Sequence, residues 1–75
     1  MLAQASSPLD LPTLRHRLGL TQTELAAVLK VSVRTVRRWE QGAPMHLIWQ
    51  DRLTGMYLER FPRQPVPRLA RGAAV

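Results

Sequence analysis

Apolar residues recur at helical spacing in several short stretches of this 75-residue chain. The first helix is predicted at about residues 11–18, with Asp10 as its N-cap and Gly19 as its natural stop. The second follows the T-x-x-E capping box of Thr21 and Glu24 and ends near Lys30. No alternation typical of a β-strand is present at any length, so the pattern predicts helices alone.

Two further helices are predicted after this pair. Ser32 is the expected N-cap of a third helix over residues 33–41. Pro44 can open a fourth helix that continues to about Arg60, although Gly55 weakens its middle. The predicted fold class is therefore all-α, with four to five short helices.

The length of the chain limits it to one small domain. We predict a flexible N-terminal lead over residues 1–9 and a helical domain over residues 10–61. Residues 62–75 are expected to form a basic, proline-rich and disordered tail. Cysteine is absent, so no disulfide can stabilise so small a core, and a second subunit is an expected source of stability. The absence of an apolar run of about 18 residues and of a signal-peptide pattern favours a cytoplasmic location.

The charge is strongly positive and comes almost entirely from arginine. The net charge is +6, with ten arginines against one lysine. Arginine's planar fork suits phosphate and guanine, but membranes and acidic proteins attract cations as well. The position of the arginines is stronger evidence for the partner than the net charge is. Arg34, Arg37 and Arg38 lie on the third helix, and two short helices of which the second is basic fit the major groove of DNA.

A combination of residues along the second and third helices extends this interpretation. The elements are Leu18-Gly19-Leu20-Thr21-Gln22, Glu24-Leu25-Ala26, Leu29, Val31-Ser32, Thr35-Val36, Arg38-Trp39-Glu40 and Gly42. Together they resemble the helix-turn-helix core of the phage-repressor, Cro-like (XRE) family, over about residues 11–54. The resemblance implies a lambda-repressor-like fold that binds double-stranded DNA. The family often has glycine where this chain has Lys30, so we expect a slightly different turn there.

The start of the third helix is the expected site of base readout. Arg34 and Arg38 are one turn apart and share a face, and the resemblance places both at base-reading positions. Each can bond O6 and N7 of guanine, so at least one G·C pair is expected in each half-site. Val33 can touch a thymine methyl group, and Arg37 can contact a base or a phosphate. The predicted base-reading set is Ser32, Val33, Arg34, Arg37 and Arg38.

A second set of residues is expected to bind the DNA backbone, which fixes position without reading sequence. The resemblance makes Gln22, at the start of the second helix, a phosphate anchor, helped by the helix dipole. Weaker candidates are Thr21, Thr23, Lys30, Thr35 and Gln41. Glu40 is an acid in the most basic segment, and in related proteins an acid here pairs with the first helix. We therefore predict a structural salt bridge between Glu40 and Arg15.

No arrangement typical of an enzyme occurs in the sequence. His16 and His46 are single and far apart, so neither a metal site nor another cofactor is expected. The serines have no His–Asp pair to activate them. Trp39 is expected in the core rather than as a stacking platform.

The fourth helix carries two apolar faces. A broad face holds Met45, Ile48, Trp49, Leu53, Met56 and Tyr57, and a second face holds Leu47, Leu58 and Phe61. The first can cover the core, whereas an apolar face without a partner often marks an interface. We predict a homodimer through Leu47, Trp49, Leu58 and Phe61. The alternative is that Leu58 and Phe61 fold back onto their own protomer.

The sequence thus predicts a dimeric transcription regulator of bacterial, phage or plasmid origin. It would act as a repressor or autoregulator that binds an inverted-repeat operator with helix 33–41 in the major groove. One alternative is an antitoxin-type operon regulator that also binds a partner protein through the fourth helix or the tail. Another is a protein-interaction module without a role on DNA. No ligand pocket is predicted.

Overall fold

The computed structural model describes residues 8–69, most of which lie in four helices. Their bounds are α1 Leu11–Arg17, α2 Gln22–Leu29, α3 Val33–Glu40 and α4 Leu47–Arg60. The predicted all-α class is confirmed, since the described residues form no strand beyond an isolated antiparallel bridge between Leu9 and Arg68. Within residues 8–69, no helix is long and apolar enough to cross a membrane.

The first three helices begin at side chains that the sequence identifies as caps. An oxygen of Asp10 accepts the N–H of Thr13 at 3.3 Å at the start of α1. The capping box of α2 is complete in both directions. Ser32 caps α3. Each cap satisfies an N–H group that has no partner inside the helix, which fixes where the helix begins.

The start of α4 differs from the sequence prediction. Pro44 is expected to open the helix, but residues 43–46 are not helical and α4 begins at Leu47. His46 is its N-cap, and Nδ1 of His46 accepts the N–H of Ile48 at 3.1 Å. The capping acceptor therefore sets the start of α4, because a helix opening at Pro44 would have Ala43 as its N-cap, and alanine has no side-chain acceptor.

The core forms where the helices meet. Its buried residues are Leu9, Leu11, Leu14, Leu25, Ala26, Leu29, Val36, Leu53 and Tyr57. Tyr57 is fully buried, and its hydroxyl accepts a hydrogen bond from Arg17 at 3.0 Å. This bond satisfies the polar end of Tyr57 and ties α4 to α1.

Residues 62–69 return to the start of α1. Asp10 donates its N–H to the carbonyl of Pro67 at 3.0 Å, and Leu69 donates to the carbonyl of Pro8 at 2.9 Å. Val66 packs against the core, and Leu9 is buried. The described parts of the predicted lead and tail are therefore held in place, because an apolar residue from each contacts the core. The rest of both segments, residues 1–7 and 70–75, lies outside the described part of the chain.

The turn between α2 and α3 contains a residue in the left-handed conformation that is not a glycine. Lys30 has φ 61° and ψ 42°, and Val31 donates to the carbonyl of Ala26 at 3.0 Å. The prediction of a different turn is wrong, since Lys30 itself adopts the conformation that glycine favours. The hydrogen bonds of the turn and the packing of Val31 against the core outweigh a cost of roughly 1–2 kcal/mol.

Replacing Lys30 with glycine should therefore stabilise the protein. Glycine removes the steric cost but makes the unfolded chain more flexible, so we expect a net gain of about 0.5–1 kcal/mol. In a domain of this size that gain raises Tm by a few degrees, measurable by circular dichroism. Lys30→Ala is the control, because it removes the charge and keeps the strain. An equal gain in both variants would contradict the backbone explanation.

Candidate nucleic-acid interface

The exposed face of α3 consists of arginine. Val36 is fully buried and Trp39 is half-buried, so this side of α3 faces the core. Arg34, Arg37 and Arg38 are all exposed on the other side. Arg34 and Arg38 lie one turn apart and share an edge of the helix. This face has the width and charge to enter a major groove.

The other two predicted base-reading residues help to build the start of α3. Ser32 Oγ accepts the N–H of Thr35 at 3.1 Å and lies 3.0 Å from the Thr35 hydroxyl oxygen. Val33 is half-buried and packs against the core. Ser32 and Val33 therefore lie at the N-terminal end of α3 but have structural contacts there, whereas Arg34 and Arg38 are exposed and Arg37 is exposed with one bond to α2.

The end of α3 is tied to α1 by a two-pronged ion pair. Arg15 Nε lies 2.7 Å from Glu40 Oε2, and Arg15 Nη2 lies 3.3 Å from Glu40 Oε1. The two side chains are only 11% and 9% exposed. Arg15 also donates to the carbonyl of Leu20 at 3.0 Å. This is the pair that the sequence predicts, and its geometry braces α3 against α1.

Gln22 extends this network to α2 and to the arginine face. Gln22 Nε2 donates to Glu40 Oε1 at 2.9 Å, and Gln22 Oε1 accepts from Arg37 Nε at 3.4 Å. From the sequence, Gln22 is expected to contact a phosphate alone, and neither of these two bonds is predicted. No local pattern could have indicated them, because they connect different helices. The shared position of Gln22 and Arg37 is apparent only in the folded chain.

The contact with Gln22 draws the Arg37 side chain towards the start of α2. The capping box there uses the N–H groups of Thr21 and Glu24, which bond to each other's side chains. Helix geometry leaves the N–H groups of Gln22 and Thr23 for an anion, and the positive end of the helix dipole favours one. Arg37 and the start of α2 together therefore suit a phosphate group.

The remaining predicted phosphate contacts are spread more widely. Thr21 and Thr23 are exposed beside Gln22. Lys30 is exposed at the end of α2, and Gln41 is exposed at the C-cap of α3. Thr35 is half-buried. The structure thus groups the candidates at the start of α2 and leaves Lys30, Thr35 and Gln41 apart from them.

The buried Glu40 carboxylate makes stability dependent on acid pH. Burial alone would raise its pKa, but hydrogen bonds from Arg15 and Gln22 and nearby positive charge hold the pKa below its ordinary value of 4.5. As the pH falls, Glu40 therefore becomes protonated at a higher pH in the unfolded chain than in the folded protein. The ionised Glu40 carboxylate makes its full contribution to the free energy of unfolding above about pH 4.5. This contribution is lost as the pH falls through the lowered pKa of the folded state.

Urea unfolding at neutral pH and at about pH 3.5 tests this dependence. The midpoint should fall more steeply with acid in the natural protein than in Glu40→Gln, which has no carboxylate to protonate. The Glu24→Gln variant is the control, because Glu24 is exposed in the capping box. Identical acid profiles for the natural protein and Glu40→Gln would exclude Glu40 as the source.

The arginine face and the brace behind it define a helix-turn-helix domain. Residues 13–45 match a family model described as helix-turn-helix, which extends from α1 to the end of the α3 region. This segment is therefore a helix-turn-helix domain of the XRE type, and such a domain supports a DNA-binding regulator. Searches of curated proteins and of solved structures each gave no match. The helix α4 lies outside the matched segment.

Proposed function

We propose that this protein is a sequence-specific repressor that binds an inverted-repeat operator as a homodimer. The observation that carries the proposal is the exposed face of α3, which presents Arg34, Arg37 and Arg38 and is braced from behind. A helix that reads bases must enter the groove in one orientation. The hydrogen bonds that Glu40 accepts from Arg15 and Gln22 hold α3 in place relative to α1 and α2.

The arginines divide between two tasks. Arg34 and Arg38 share the edge of α3 that reads bases, and each can bond the O6 and N7 atoms of a guanine. Arg37 contacts Gln22, and the two bind a phosphate at the start of α2. The phosphate contact sets the depth and register of α3, and the base contacts supply the sequence preference.

Occupancy of the operator represses transcription by covering a promoter. A two-fold pair of chains places two copies of α3 about one DNA turn apart, roughly 34 Å, on successive major grooves. The operator is therefore an inverted repeat with at least one G·C pair in each half-site. The protein acts in the bacterial cytoplasm, where this DNA lies.

Selection of preferred sites from random duplexes tests the proposal. We expect an inverted repeat with half-sites spaced by about one helical turn and a steep decrease of affinity with salt. A promoter fused to a reporter gene and carrying the selected site should be silenced by the protein. If no sequence is enriched and all binding is lost by about 150 mM salt, the protein is not a sequence-specific regulator.

A further inference from the structure

A groove opens between the two ends of the described chain and the loop that follows α3. Its volume is about 280 Å³, close to the lower end of the range for small-molecule sites. The sequence predicts no ligand pocket, because the lining of this groove comes from four separate parts of the chain. Most of the lining is apolar, and we call it the Leu69 groove. Its main side chains are Leu9, Leu11, Trp39, Met45 and Leu69.

Hydrogen bonds hold both walls of the Leu69 groove in place. On one side, Leu69 donates its N–H to the carbonyl of Pro8 at 2.9 Å. On the other side, Gln50 Nε2 donates to the carbonyl of Met45 at 2.8 Å. The groove therefore exists before a ligand arrives, and binding does not have to overcome the entropy of ordering its walls.

Trp39 gives the groove an aromatic surface. Its ring is half-buried and lies against Trp49, with the ring centroids 5.9 Å apart, so its position is fixed. Met45 is half-buried and adds a flexible thioether, which packs well against aromatic rings. A flat aromatic ring can use both surfaces, whereas a sugar would lose its water without gaining enough hydrogen bonds. The lining therefore favours an aromatic ligand.

A second groove, of about 290 Å³, lies along the same wall and has a cation in its lining. It shares Trp39, Ala43 and Pro44 with the Leu69 groove, and its other lining residues are Thr35 and Arg38. Arg38 is exposed and follows directly before Trp39 in α3, so its long side chain can extend along the shared wall. A guanidinium group binds a carboxylate through two parallel N–H···O bonds.

The charges around Arg38 favour an anion as its partner. Within residues 8–69, the guanidinium of Arg38 makes no hydrogen bond or ion pair. Glu40, the acid of α3, is already bonded to Arg15 and Gln22. The net charge of +6 attracts anions as well. A carboxylate brought by a ligand therefore has a free cation at the end of an apolar groove.

We infer that the protein binds a small aromatic monocarboxylate, with the ring in the Leu69 groove and the carboxylate on Arg38, and that this ligand releases it from DNA. The release rests on the proposed function, in which Arg38 bonds a guanine. A guanidinium group that holds a carboxylate cannot hold O6 and N7 of guanine at the same time. The carboxylate also brings a negative charge towards the DNA phosphates. By linkage, DNA weakens binding of the ligand by the same factor.

Calorimetric titration with 1-naphthaleneacetate tests the ligand site. This probe carries a flat ring and one carboxylate, and 1-naphthaleneacetamide is the matched neutral control. For a ligand of this size we expect a dissociation constant of about 0.1–1 mM. The amide should bind at least about fivefold more weakly, because it cannot form the charged bond to Arg38. Equal affinities, or no binding of the acid up to about 10 mM, would overturn the inference.

Two variants separate the ring from the carboxylate. Arg38→Gln should lower the affinity for the acid to that for the amide and leave the amide unaffected. Leu69→Ala should weaken both probes by the same factor, about threefold or more, because it removes apolar surface alone. Leu69 is 47% exposed, so this variant should fold.

Arg34→Gln is the charge control for the ligand titration. It makes the same charge change on α3, but Arg34 lines neither groove, so the affinity for the acid should stay constant. An equal loss of affinity in Arg34→Gln and Arg38→Gln would mean that net charge attracts the acid. That result would overturn the placement of the carboxylate on Arg38.

Fluorescence anisotropy with the selected duplex tests the release from DNA. At about ten times its dissociation constant, 1-naphthaleneacetate should raise the dissociation constant for the duplex by about tenfold. Sodium acetate at the same concentration is the control for ionic strength. The residual DNA binding of Arg38→Gln should respond no more to the probe than to acetate. Unchanged affinity for DNA with the probe bound would overturn the release.

The two titrations distinguish this inference from the proposed function. Binding of the acid through Arg38, in a protein that prefers no duplex, would remove the proposed function and leave the ligand site. A preferred duplex, bound by a protein that takes up no probe, would remove the ligand site and leave the reading of DNA.

Discussion

Arg15→Ala should lower the free energy of unfolding by about 3–5 kcal/mol, because it leaves the Glu40 carboxylate nearly buried without its cation. Gln22 keeps its hydrogen bond to that carboxylate but carries no charge to balance it. Small domains have little stability in excess, so the variant should be largely unfolded at moderate temperature. Urea unfolding followed by tryptophan fluorescence measures the loss.

A double variant is the control for this prediction. Replacing both Arg15 and Glu40 with methionine removes the two charges together and keeps much of the buried volume. Such exchanges of a buried ion pair for apolar residues are often neutral, so the double variant should regain most of the stability that Arg15→Ala loses. If Arg15→Ala instead folds like the natural protein and loses DNA binding, Arg15 is a binding residue and not a brace.

Arg34→Ala should reduce the preference for the selected operator by roughly 5- to 150-fold, and Arg38→Ala should have a similar effect. Both arginines are exposed on one edge of α3, and neither has a structural bond that the substitution would break within the described chain. Fluorescence anisotropy with the operator and with a duplex lacking the G·C pair measures the preference directly. The folded state should be unchanged.

Two further variants distinguish base readout from general attraction to DNA. Gln22→Ala should weaken binding to both duplexes alike, since it removes the support of Arg37 at the start of α2, where we propose a phosphate contact. Arg52→Ala makes the same charge change on α4, where Arg52 lies 5.6 Å from the Trp49 ring, and should alter binding little. Equal losses from Arg52→Ala and Arg34→Ala would mean that overall charge, not the face of α3, determines binding.

The helix starts were largely predictable because capping is a local interaction. Thr21 and Ser32 precede the helices that they cap by one residue, and their partners follow within one turn. The Arg15–Glu40 pair is predictable only through the family resemblance, since the two residues are distant in the chain. Neither the local sequence nor the family resemblance predicts the hydrogen bonds of Gln22 with Glu40 and Arg37.

The direction in which α4 faces could not be predicted from its periodicity. Helical spacing groups residues on faces, but it does not say which face meets the core when both are apolar. Trp49 and Phe61 turn inward because Trp39 and Tyr57 offer aromatic surfaces to them. The conformation of Lys30 was likewise set by the helices on either side and not by its own preference.

The bridge between Leu9 and Arg68 makes the domain a nearly closed loop. Leu69 donates a 2.9 Å hydrogen bond to the carbonyl of Pro8, so the two ends of the described chain lie side by side. Both residues line the groove that also contains Trp39, beside the C-terminal end of α3. A short linker joining these positions, with new ends opened between Gly42 and Met45, would give a circular permutant that keeps all four helices.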